Sequence, residues 1–70
     1  MKDMKKELGL NLRNARIRRK MAQIELAAEL DLSRTSISKY ENGNGNPTLQ
    51  IILNLAVALE IHPSELSQTD

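Results

Sequence analysis

The run from Gln23 to Tyr40, QIELAAELDLSRTSISKY, constrains this chain more than any other stretch. Leu26, Ala27 and Leu30 recur at helical spacing, and Ile37 and Tyr40 do so again after a break. The break is short. Asp31 stands where the chain must turn sharply, at a site that favours a left-handed backbone; glycine is the easiest residue there, and Asn and Asp are tolerated. Apolar Leu32 follows, and then Ser33, a strong N-cap type. Two short helices joined by a tight turn result. Ala27 falls where they approach most closely, and a larger side chain there would hold them apart. Leu26, Leu30, Leu32, Ile37 and Tyr40 converge as the pegs that fix the crossing.

What surrounds this stretch must suit a small helical core. Seventy residues allow one domain with a modest interior. Tyr40 is the single aromatic residue, so the core is built from Leu, Ile, Ala and Met, a mixture better suited to helices than to a sheet. The chain has no cysteine and one histidine, which excludes disulfides and argues against zinc. No apolar run reaches the length of a membrane span, and MKDMKKE is followed by no apolar segment of the kind a signal peptide needs. The expected location is therefore cytoplasmic: nucleoid-associated in a prokaryote, or phage-encoded.

Charge is divided unevenly. The formal net charge is +1, but residues 1–20 carry eight Lys or Arg against Asp3 and Glu7, a balance of +6. The remaining fifty carry Arg34 and Lys39 against seven acids, a balance of −5. One basic face can attract phosphate even on a near-neutral protein; the plainer reading is a solvated basic helix.

In chain order, residues 1–6 read as a frayed lead-in. A first helix from about Glu7 to Lys20 turns Leu8, Leu12 and Ala15 inward, with spacing i, i+4, i+7. The second runs from Gln23 to about Leu30 and the third from Arg34 to about Asn42, closed by Gly43 as a C-cap glycine. Asn44-Gly45-Asn46-Pro47 is a loop by composition. Thr48 caps a fourth helix that reaches about Leu59, with Leu49, Ile52, Leu55, Ala56 and Leu59 as its inward stripe. His62-Pro63-Ser64-Glu65-Leu66 gives a last short turn, with Pro63 at its first position. The expected architecture is all-α, a five-helix bundle in one domain over 1–70. Its core spans about 7–67, and residues 68–70 are frayed like the start.

The small residue, the turn and the apolar pegs together make a helix-turn-helix, whose second helix can enter the major groove of DNA. Gln23–Tyr40, then Glu41-Asn42-Gly43, then Asn46-Pro47-Thr48-Leu49, resembles the lambda-repressor-like (Xre/Cro type) DNA-binding domain, from about Leu8 to Leu66. The family's order of Gln, two spacers, Leu-Ala, and a helix ending in Glu-Asn-Gly is present throughout. Two positions depart from it. Lys20 stands where glycine usually permits the turn after the first helix, and Ala22 replaces the usual Thr or Ser cap. Losing such a cap typically costs about 1 kcal/mol, which predicts a weakly defined junction.

The resemblance implies where DNA would lie. It aligns Arg34, Thr35 and Lys39 with base-reading positions, and Ser38 belongs to the same outward set. Geometry leads to that set as well, because Ile37 and Tyr40 must face the core. Arg34 suits a guanine edge, worth about 1–3 kcal/mol of discrimination; Thr35 suits a thymine methyl, and Lys39 a base or a phosphate. Gln23, Ser36, Asn44, Asn46 and Thr48 are the expected phosphate ligands. Arg16 has two readings: an ion pair with Glu41 tying the third helix to the bundle, the preferred one, and a phosphate contact. Asn44-Gly45 stands where basic residues are common, which predicts moderate salt dependence.

A single helix-turn-helix reads few bases, so the expected partners are double-stranded DNA and a second copy forming a homodimer on palindromic half-sites. Ile51, Leu53, Val57 and Ile61 are the apolar residues beyond the inward stripe of the fourth helix and could form that interface; singly, each can equally complete the core. Ile24 looks exposed without a role. No cofactor, metal, membrane or small-molecule ligand is expected. The leading function is a transcription regulator, as a compact phage-type repressor or a restriction–modification controller. The alternative is an antitoxin-like or other protein-interaction module using the same fold. A membrane-active peptide rests on the basic first helix alone. An enzyme is least supported, since His62 has no nucleophile or paired carboxylate at workable spacing.

Overall fold

The structure, a computed structural model, describes residues 3–67. Four α-helices follow one another: α1 Met4–Arg18, α2 Gln23–Glu29, α3 Arg34–Glu41 and α4 Leu49–Leu59. The fifth expected helix is a single 3-10 turn, Pro63–Glu65. Three residues are too few to close an α-helical ladder; the His62 Nδ1 accepts from the Ser64 N–H, and the Glu65 carboxylate accepts from the His62 N–H. Among the described residues there is no strand.

The first helix starts earlier than the apolar spacing suggests. Asp3 caps α1, its Oδ1 accepting from the N–H groups of Lys5 and Lys6 at 3.0 and 3.2 Å, so residues 4–6 are helical rather than a lead-in. The frayed ends expected at residues 1–2 and 68–70 lie outside the described residues. Ser33 and Thr48 cap α3 and α4 in the same manner, through bonds from the N–H groups of Ser36 and Ile51. At α2, Ala22 supplies no side-chain acceptor. The Glu25 carboxylate instead reaches back to the Ala22 N–H at 2.7 Å, which keeps half of a capping box and defines the junction.

All four helices stop by one device. A residue at each end enters the left-handed region: Lys20, Asp31 and Gly43, which follow the caps of α1, α2 and α3, at φ 57, 57 and 76, and Glu60, itself the cap of α4, at φ 57. There the next N–H groups turn back onto the last carbonyls. Lys20 and Met21 donate to Ile17 and Arg16; Asp31 and Leu32 to Ala28 and Ala27; Gly43 and Asn44 to Tyr40 and Lys39; Glu60 and Ile61 to Val57 and Ala56. Lys20, Asp31 and Gly43 thus take the conformation their places imply. Glu60, which carries no turn signature in the sequence, takes it too.

Leu12, Ala15, Leu26, Ala27, Ile37, Leu55, Ala56, Leu59 and Leu66 form the buried core. Leu8, Leu30, Leu32, Tyr40 and Ile52 pack against it half-buried. Leu49 departs from the expected stripe: it is 71% exposed, because it opens α4 a full turn before the bundle closes over that face. Leu66 is fully buried, and its carbonyl accepts from Asn11 Nδ2 at 3.0 Å, fastening the chain's last turn to α1.

Candidate nucleic-acid interface

Helix α3 has two sides with different tasks. Ile37 is completely buried among α1, α2 and α4 core residues and fixes which way the helix is rotated. That rotation turns Thr35, Ser38 and Lys39 away from Ile37, with Thr35 and Lys39 exposed and Ser38 half-exposed; Arg34 is exposed at the open first turn of the helix. The expected base-reading residues are therefore all accessible to solvent. Ser36 is placed differently. Its hydroxyl lies 3.1 Å from that of Ser33, and its N–H bonds to the Ser33 Oγ, so it belongs to the cap that starts the helix.

The far end of α3 is clamped by polar contacts. Glu41, whose side chain is 3% exposed, accepts from Arg16 Nε on one oxygen and from Arg16 Nη2 at 3.0 Å on the other. Gln23 Nε2 donates to that second oxygen at 3.1 Å. Arg16 Nη1 completes the set by donating to the Met21 carbonyl at 2.7 Å. One carboxylate thus joins α1, the start of α2 and the end of α3. The hydrogen bonds that Arg16 donates to Glu41 hold its guanidinium above its ordinary range, against the opposing effect of burial and with Coulombic help from the same carboxylate. All the nitrogens of Arg16 are engaged by protein groups and its side chain is 12% exposed. A phosphate would reach it only by displacing these partners, so in this structure the clamp is its role.

The other expected phosphate ligands lie around α3. Gln23 is half-buried and gives one amide hydrogen to Glu41, leaving a second for another acceptor. Asn44, Asn46 and Thr48 are exposed in the loop between α3 and α4. The Thr48 oxygen accepts the capping bond from Ile51, which leaves its hydroxyl hydrogen available to donate.

Gly9 and Gly45 have packing roles that their places in the sequence do not by themselves specify. Gly9 is buried inside α1, where glycine costs about 1 kcal/mol of helix propensity relative to alanine. A Cβ there would overlap the Tyr40 carbonyl oxygen and stand 2.6 Å from that of Glu41. The close approach of α1 to the end of α3 needs a bare backbone. Gly45 presents the same bare face to the Tyr40 ring, where a Cβ would stand 2.7 Å from Cε1. A lone glycine inside a helical pattern was the available signal for Gly9.

Of the four residues expected at a dimer contact, Leu53 and Val57 are 38% and 77% exposed, and Leu49 joins them on the same side of α4 at 71%. Ile51 and Ile61 are half-buried against the core. Among the described residues, no helix is long and apolar enough to cross a membrane, and no group of His, Asp or Glu is gathered to hold a metal.

The model of the HTH_3 helix-turn-helix family matches residues 12–66, which includes the whole of α2, α3 and their turn. The chain belongs to this helix-turn-helix family. Among curated relatives, the cryptic phage CTXphi transcriptional repressor RstR of Vibrio cholerae is 46% identical over 44 residues, 63% of this chain and 39% of that protein. The chain therefore matches about two fifths of that repressor's length. Among solved structures, the restriction-modification controller protein C.AhdI from Aeromonas hydrophila superposes with a TM-score of 0.83 at 38% identity. That match covers 87% of this chain and 92% of the controller. The hypothetical transcription factor NHTF from Neisseria gives 0.88 at 31% identity over 93% of this chain and 75% of its own. All three are similar to this helix-turn-helix chain, and each is named as a regulator or transcription factor.

Proposed function

We propose that this protein is a transcription regulator that binds a specific double-stranded DNA sequence, with α3 in the major groove. The observation that carries the reading is the division of α3. Ile37 and Glu41 lock it to the bundle, while Arg34, Thr35 and Lys39 stand outward together with no structural task assigned to them. A reading helix needs that rigidity, because side chains must meet base edges in a fixed register. Arg34 and Lys39 supply cationic donors, and Thr35 and Ser38 supply smaller polar groups. Gln23, Asn44, Asn46 and Thr48 would hold the flanking phosphates by neutral hydrogen bonds, which release few counterions. A dimer on a palindromic operator would supply the specificity that one α3 lacks. The exposed row Leu49, Leu53 and Val57 on α4 supports a two-fold contact there; Ile51 and Ile61, half-buried against the core, are less available to it.

The test is a titration of the protein against the DNA upstream of its own coding region and a scrambled control, at two salt concentrations. Tight, cooperative binding to the upstream fragment that Arg34→Ala abolishes is the expected result. Equal, weak binding to both fragments, unaffected by Arg34→Ala, would move the operator elsewhere or favour a protein-binding role.

A further inference from the structure

Besides Met4 at the start of α1, three large apolar residues outside α4 face solvent with no role in the site above. Leu10 and Ile17 on α1 are 56% and 51% exposed, and Ile24 on α2 is 59% exposed. Leu10 and Ile17 are not scattered. With Lys6 and Arg13 they follow i, i+4, i+7, i+11 spacing on α1, a single stripe on the side opposite the inward Leu8, Leu12 and Ala15 row. Lys6 and Arg13 are exposed as well. The outer side of α1 is thus apolar and cationic in alternation.

Across the Arg19–Ala22 turn the sign reverses. No acidic residue occurs from Leu8 to Ile24, and none but acidic charges occurs from Glu25 to Ser33. Because Leu26 and Ala27 are buried, the outer side of α2 carries Ile24 and Ala28 beside Glu25 and Glu29, with Asp31 at its end, all exposed. One molecule therefore displays two apolar strips of opposite charge. Each is the complement of the other; the acidic strip borders the α4 row, since Glu29 and Asp31 line one shallow groove with Val57.

We infer that the outer face of α1 on one copy docks against the outer face of α2 on a second copy of this chain. Leu10 and Ile17 would cover Ile24 and Ala28, with Lys6 and Arg13 set against Glu29 and Asp31. Such a contact joins unlike surfaces, so it is a second association distinct from any two-fold contact through α4. Two short strips bury little area, and the contact forms at high protein concentration and weakens with salt, since its charge pairs stay at the rim. It does not depend on the DNA-reading proposal and can be tested without DNA.

The experiment is sedimentation velocity of the full chain across a wide concentration range, at low and high salt, on a Leu49→Ser, Leu53→Ser background that weakens the α4 row without adding charge beside Glu29 and Asp31. The expected result is concentration-dependent growth in mass at low salt that is reduced at high salt. Charge reversal of one face should weaken the association about tenfold, whether through Lys6→Glu with Arg13→Glu or through Glu29→Lys with Asp31→Lys. Lysine is tolerable at position 31, since Lys20 already occupies the same backbone conformation. An equimolar mixture of the two reversed proteins should recover the association, because each then offers the other a complementary face. Leu10→Ser with Ile17→Ser should abolish it while the helical circular dichroism and melting transition are retained. A mass independent of concentration, or a mixture that does not recover, would overturn the inference.

Discussion

The ends of α1, α2 and α4 differ from the end of α3, although all four close with the same pair of backbone hydrogen bonds. At the first three the left-handed residue is not glycine but Lys20, Asp31 or Glu60, and an L side chain in that region costs about 1–2 kcal/mol. Each is followed by an apolar residue, Met21, Leu32 or Ile61, that packs against the core. Burial of that side chain offsets the strained backbone before it. At α3 the left-handed residue is Gly43, which carries no such cost, and the residue after it is the exposed Asn44. Nothing apolar anchors this end. Its hold on the bundle comes one residue before the cap, through Glu41 on Arg16 and Gln23. The difference follows from position: the chain leaving α3 enters the polar loop proposed to meet phosphate, so its anchor must point backward into the protein.

The comparison is broken most severely by Glu41→Ala. Removing one partner of a nearly buried ion pair leaves Arg16 with an uncompensated charge, at a cost of about 3–5 kcal/mol. Denaturant unfolding followed by circular dichroism measures it, and a loss under about 1 kcal/mol would show that α3 is held by other means. This contribution has a defined pH behaviour. A guanidinium raised above its ordinary range stabilises fully below that range and loses the effect only as pH rises through the raised value, so Arg16 itself adds no pH dependence near neutrality.

Leu32→Ala tests the other kind of anchor. Truncating a packed leucine costs about 2–3 kcal/mol in the same assay, and Asp31 would then keep its strain without the burial that offsets it. Gly43→Ala comes next. It places a side chain at φ 76, about 1–2 kcal/mol, and its Cβ would stand 2.8 Å from Lys6 Cγ and 3.0 Å from Lys6 Cα. Lys20→Gly should act in the opposite direction. Relief of the left-handed strain exceeds the extra freedom of glycine in the unfolded chain, for a gain of about 0.5 kcal/mol seen as a higher Tm. A drop in Tm would mean that Lys20 makes contacts outweighing its backbone strain.

The order of elements was legible because it is written locally. Ser33 and Thr48 announce helix starts by their side-chain acceptors, Gly43 announces a stop, and the spacing of Leu8, Leu12 and Ala15 fixes which side of α1 is inward. The Arg16–Glu41 pair came from the resemblance to a known domain, since two residues 25 positions apart share no local pattern. What failed did so for reasons of context. The last turn looked like a fifth helix because Pro63 and His62 mark a start, but three residues from Pro63 to Glu65 do not sustain an α-helical ladder. Leu49 has the periodicity of the inward row and lies beyond the core's reach.

By itself, then, the sequence determined that this chain is all-helical and contains a helix-turn-helix, because periodicity, caps and left-handed turns act over a few residues. It also determined which side of α3 faces outward, since Ile37 can go only to the core. Tertiary structure decided the rest. It made Gly9 indispensable by bringing the carbonyls of Tyr40 and Glu41 against it, and it committed Arg16 to the protein interior. It also left Leu10, Ile17 and Ile24 in solvent, because only the packed bundle determines which apolar side chains have a neighbour to bury them.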